Sequence, residues 1–166
     1  EGHVLLMIKA EFFVQLIGAS FFLILNIYLA KQGFSDPEIA NYISYRFLAV
    51  MLLAFPLGFY IKNKPLKPFF MLGSLGVPLV AISLVLAVEN TCYQYLPFIF
   101  ILWGIAFTLF QVSSLPYIMR NTVSKNQSHA ISLNYATHSF GTIISGIIIF
   151  GFGKLMKEIN EGMILL

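Results

Sequence analysis

Five long apolar stretches occupy nearly the whole chain, and the charged residues fall almost entirely in the short gaps between them. The stretches run at 10–30, 39–61, 69–88, 96–119 and 130–153. Each holds about 20 residues or more, enough to cross a hydrocarbon layer of about 30 Å at about 1.5 Å per residue. Lipid offers the backbone no hydrogen-bond partners, so each stretch is predicted to be a helix. A soluble helical domain would need polar faces on its helices. The stretch 69–88 has no charge, His, Asn or Gln. The composition agrees: 58% of the 166 residues are hydrophobic and 10% charged, against about 25% charged in ordinary soluble domains. The expected fold class is an all-α integral membrane protein with five transmembrane helices in one membrane domain spanning 1–166.

The net charge of +3 does not form a basic stripe interleaved with aromatics, so nucleic acid is not an expected partner. It reads instead as membrane topology. The second gap carries Lys62, Lys64 and Lys67, and the fourth carries Arg120 and Lys125 with His129 at its edge. The first gap sets Lys31 against Asp36 and Glu38, and the third has Glu89 and no cation. Lys and Arg favour the cytoplasmic side, which places the second and fourth gaps and the N-terminus there. The tail from Lys154 to Glu161 is mixed in charge and is expected outside. A bacterial inner membrane is the expected location.

The single Cys92 excludes an internal disulfide and a Cys-based metal cluster. His3, His129 and His138 have no metal-ligand spacing. No metal or cofactor is expected. No cleavable signal peptide is evident, because the first apolar stretch is long for one and contains Glu11.

The connections are short, which favours antiparallel neighbours in a bundle. Ser35-Asp36-Pro37-Glu38 is a capping box with proline in the first turn, and Gly33 suits the turn before it. Lys64-Pro65-Leu66-Lys67-Pro68 is a stiff basic connector. The chain starts at Glu1, and 163–166 reads as the possible start of a sixth helix. Both features are expected of a piece of something larger.

Polar residues inside the spans mark a candidate pathway. Glu11, Gln15, Gly18, Phe22 and Asn26 form one stripe on the first helix. Gly104, Thr108 and Gln111 share a face of the fourth, and Asn134, His138, Gly141 and Ser145 share a face of the fifth. Gln15, Gln111 and His138 fall at similar depths, on the order of 4–8 Å to the cytoplasmic side of the helix centres. The bland reading is that these groups only hold helices together. Arg46, near the middle of the second helix, is the most costly residue to place. Translocon scales put the penalty at about 2.5–3.5 kcal/mol, so it needs a partner, water or a ligand. Tyr42 and Tyr45 are within one turn of it. The expected substrate or pathway residues are Arg46, Gln15, Gln111, His138, Asn26 and Asn134, with Glu11 and His138 as candidates for ion coupling. Thr137, Gly141 and Ser145 form a small-residue ridge suited to close helix packing.

The order of these features resembles the N-terminal half of a major facilitator superfamily transporter over roughly 10–155. Asn26-x-x-Leu29-x-x-x-Gly33-x-Ser35 resembles that family's passage from helix 1 to helix 2. Gly58-Phe59-Tyr60-Ile61-Lys62-Asn63-Lys64-Pro65-Leu66-Lys67 lies where the family has its signature loop, roughly G-x-x-x-D-R-x-G-R-K. Gly58 and Lys67 match it, Lys62 stands at the acidic position, and Pro65 stands at the second glycine. The stretch from Gly104 to Arg120 with Pro116 is similar to the fourth helix, and Ala130-x-Ser132-Leu133 followed by Gly141, Gly146 and Gly151 to the fifth. The resemblance implies a secondary transporter that moves a small solute by alternating access, coupled to an ion or proton. Two six-helix halves would rock about a central cavity. Helices 1, 2, 4 and 5 would face that cavity or the other half, and helix 3 would face lipid. The implied partners are a small-molecule substrate, the bilayer and a C-terminal half of the same chain. The alternatives are a non-transporting membrane subunit or scaffold, and an intramembrane enzyme. The sequence has no His-x-x-x-His, paired Glu or Gly-x-Ser-x-Gly to support the enzyme.

Overall fold

The computed structural model describes the backbone of residues 2–164 and the side chains of residues 2–154. Five α-helices follow one another: α1 (Gly2–Lys31), α2 (Asp36–Ile61), α3 (Lys67–Glu89), α4 (Leu96–Asn121) and α5 (Ser124–Ile164). A single 3-10 turn at Tyr93–Tyr95 leads into α4. All five helices are long and apolar enough to span a membrane. The protein is an integral membrane protein built from helices.

The helices outrun the apolar stretches. α1 begins at Gly2 rather than 10, and α5 begins at Ser124 rather than 130. Apolarity marks the part of a helix that lipid can cover. It does not mark where the backbone stops being helical, and Lys9 and Lys125 are compatible with helix. The expected start of a sixth helix at 163–166 falls partly outside the described residues. The backbone of α5 continues without a break to Ile164, and 165–166 are not described.

The first and third connections use one device. α1 ends with Gly33 at φ +92°, with Phe34 N–H donating to Leu29 O and Gly33 N–H to Ala30 O. α3 ends with Thr91 at φ +56°, with Cys92 N–H donating to Ala87 O and Thr91 N–H to Val88 O. Both are Schellman closures, which occupy carbonyls that a helix end leaves without partners. The capping box opens α2. The Glu38 carboxylate accepts from Ser35 N–H at 2.8 Å and from Ser35 Oγ at 2.7 Å.

α4 lies between α2 and α3 and packs on both, while α1 packs chiefly on α5. The α1–α5 pair touches the other three helices more lightly. Helices in lipid gain little from burying apolar surface, so close approach depends on small residues. Glycines sit at each main crossing. A Cβ on Gly104 would lie 2.8 Å from Ala49 Cβ, and closer still to the Arg46 carbonyl. A Cβ on Gly73 would lie 2.7 Å from Phe110 Cβ, and one on Gly141 would lie 3.3 Å from Gln15 Cγ. The expected ridge on α5 does face α1: Ser145 Oγ donates to Leu16 O at 2.8 Å. Thr137 is turned to its own helix and donates to Asn134 O.

α3 is covered mainly along the flank that meets α4, and Leu72, Leu75, Leu79, Ile82 and Leu86 are exposed on it. Two apolar clusters close the bundle. Leu25, Leu29, Ile39, Leu84, Val88, Leu96, Phe100 and Trp103 form one, and Val4, Ile8 and Ile118 form the other.

Candidate functional site

Most polar stripe residues of α1 turn toward other helices, and they do so at separate levels. At the first level Glu11 is buried, only 8% exposed. Ser114 Oγ of α4 donates to Glu11 Oε2 at 2.9 Å, and Asn134 Nδ2 of α5 reaches Ser114 Oγ at 3.4 Å. One carboxyl group therefore joins three helices. No cationic side chain pairs with it among the described residues, and Asn134 Oδ1 is buried without a partner. Glu11 also lines a cavity of about 410 Å³ between α1, α3 and α4, with Lys67, Phe70 and Tyr117 among its walls.

One turn further along α1, Gln15 Nε2 reaches Thr142 Oγ1 of α5 at 3.4 Å. His138 is half-buried and Gln111 is exposed. Neither side chain makes a hydrogen bond among the described residues. The expected layer of Gln15, Gln111 and His138 is thus not a bonded cluster. Asn26 donates to Phe22 O of its own helix at 2.9 Å, which accounts for its amide locally.

Arg46 lies at a further level, against Phe22, about 16 Å along α1 from Glu11. The residue is 9% exposed. Its guanidinium carbon lies 4.5 Å from the centroid of Trp103, 4.7 Å from Phe107, 5.2 Å from Phe47 and 5.3 Å from Phe22. Three helices supply these rings. Tyr42 stacks on Phe100 instead, and neither Tyr42 nor Tyr45 bonds to the guanidinium. Among the described residues no acid pairs with Arg46, and its Nε is buried with no acceptor. A ring face contributes roughly 0.5–2 kcal/mol to a cation above it, more when desolvated. Four such faces are comparable with the cost of placing the charge there. The aromatic cage thus holds the charge in place and leaves its hydrogen-bonding edge without a partner.

Of the expected loop residues only Lys62 lies in the connector; Gly58 belongs to the last turn of α2 and Lys67 opens α3, and all three are exposed. What fixes this loop is Arg120 at the end of α4. Its Nη1 donates to Lys64 O at 2.7 Å, and its Nη2 donates to Ile61 O at 2.9 Å and to Lys62 O. A guanidinium at the carbonyl end of α2 satisfies acceptors there and meets the negative end of the helix dipole. The sequence reading assigned no contact to Arg120, Ser114, Trp103 or Phe107. Only Trp103 and Phe107, four residues apart on α4, left a periodic signal. The partners of Ser114 and Arg120 are distant in sequence. Compared with family models, curated proteins and solved structures, the chain matches none.

Proposed function

We propose that this chain is the N-terminal half of a secondary transporter of the major facilitator type, moving a small solute by alternating access with ion or proton coupling. The supporting observation is that Glu11 and Arg46 are both buried within membrane-length helices, and neither is neutralised by the other or by another residue among those described. An ion pair that merely braced the bundle would bring opposite charges together. Ionisable groups without a counter-charge at membrane depth are costly to place and mark pathways for substrates or ions. In this reading Arg46, Gln111, Gln15, His138 and Asn134 border the pathway, and Glu11 serves coupling. The N-terminus faces the cytoplasm of a bacterial inner membrane.

The test is counterflow in proteoliposomes carrying the full-length protein, with a panel of labelled small solutes and imposed proton or sodium gradients. At least one solute should be exchanged by the wild type and lost in Arg46→Ala. A protein that folds, inserts and exchanges no solute would favour the non-transporting subunit.

A further inference from the structure

We propose that Arg46 is the anchor for a single carboxylate, and that the substrate is a monoanionic organic acid with an apolar or aromatic body. This rests on the transport reading for its role as a transported solute, but not for binding.

Three observations carry it. First, the guanidinium has rings about it and no acceptor on its donor edge. Nε is sealed and unpartnered, and no N–H of Arg46 donates to a protein acceptor among the described residues. Two parallel N–H donors suit a carboxylate, and an ammonium group would not reproduce that fork. Second, the charge count permits one negative charge. Arg46 is the only cation of α2, and the only cation of α4 is Arg120 at its far end. A phosphate dianion would leave one charge uncompensated in a low-dielectric setting. Third, the rim is apolar. Phe47 is 55% exposed and Phe107 half-buried, so both offer ring surface beside the charge. Gln111 stands one turn beyond Phe107, exposed and unbonded, where its amide can meet a second polar atom. A sugar would need several donors and acceptors around it, and the cage offers rings in their place.

Trp103 provides a reporter, since it is the one tryptophan of this sequence and lies 4.5 Å from the guanidinium carbon. The full-length protein in nanodiscs is titrated with benzoate, octanoate, acetate, benzamide and inorganic phosphate while tryptophan fluorescence is followed. A Trp103→Phe variant supplies the blank for any other tryptophan. Benzoate and octanoate should give saturable changes at least tenfold tighter than benzamide or phosphate. Arg46→Gln should abolish them, Arg46→Lys should weaken them several-fold, and Phe107→Ala should weaken benzoate more than acetate. Equal binding of benzoate and benzamide, tighter binding of phosphate, or unchanged benzoate binding in a folded Arg46→Gln would overturn the proposal. If Arg46→Gln does not fold, the ligand comparison on the wild type and Phe107→Ala decides. Benzoate binding with no counterflow of any solute would sink the transport reading and leave the anion site standing. Counterflow of a neutral solute that survives Arg46→Gln would do the reverse.

Discussion

At the scale of single residues, the site depends on how closely α4 approaches α2. Gly104 lies against the Arg46 backbone itself, so any side chain there displaces the segment that carries the guanidinium. Gly104→Ala should therefore destabilise the protein by about 1–3 kcal/mol, the range for overpacking a tight contact. It should also alter Trp103 fluorescence, since Trp103 is the neighbouring residue and part of the cage. Gly146 has nothing within 4 Å of an added Cβ. Gly146→Ala should be neutral, or stabilising by up to about 1 kcal/mol through helix propensity. Thermal unfolding of the two variants in detergent separates the cases, and equal melting temperatures would refute the packing role of Gly104. The sequence reading grouped Gly104 with Thr108 and Gln111 as a polar face. In the structure Thr108 is buried and donates to Gly104 O, while Gln111 is exposed. Helical spacing places these residues along one side of α4. It carried no information on where the neighbouring helices cover that side.

Helix ends show the same division between local and distant information. Gly33 and the Ser35–Glu38 box were legible because their chemistry is local: a residue that adopts positive φ without strain, then a hydroxyl and a carboxylate three residues apart. Thr91 gave no such signal, yet it closes α3 with the same hydrogen bonds that Gly33 makes for α1. A β-branched residue at φ +56° is strained, and left-handed backbone costs a non-glycine residue about 1–2 kcal/mol. Thr91→Gly should then raise stability by about 0.5–1 kcal/mol, with part of the relief offset by the freedom glycine gains in the unfolded chain. Gly33→Ala should lower stability by about 1 kcal/mol. Opposite shifts in melting temperature are expected, and a loss of stability in Thr91→Gly would remove the strain argument. The limits of α1 and α5 were not legible for a different reason. Hydropathy reports what can sit in lipid, whereas continuation of a helix past Lys9 or Lys125 depends on the backbone and on packing such as Val4 and Ile8 against Ile118.

For the whole molecule, the number of spans was readable from the sequence, but the pairing was not. Helix neighbours are chosen by glycine contacts and by buried polar links between residues more than a hundred positions apart, as Glu11 is from Ser114 and Leu16 from Ser145. The connector after α2 and the end of α4 meet at one end of the bundle, where Arg120 holds the carbonyls of Ile61, Lys62 and Lys64. Lys62, Lys64, Lys67 and Arg120 therefore gather at that end. The end of α3 at Glu89 and the α3–α4 connector, with no cation, lie at the other. Transfer of such a basic end across a membrane is disfavoured, so this end should stay cytoplasmic. In a Cys92→Ser background, Asn63→Cys and Lys125→Cys should resist a membrane-impermeant thiol reagent applied to intact cells and react after permeabilisation. Glu89→Cys should react in both. Strong labelling of Asn63→Cys in intact cells, with none of Glu89→Cys, would invert the topology. Glu11, about 16 Å along α1 from the level of Arg46, would then sit toward the outer face and Arg46 nearer the cytoplasmic one.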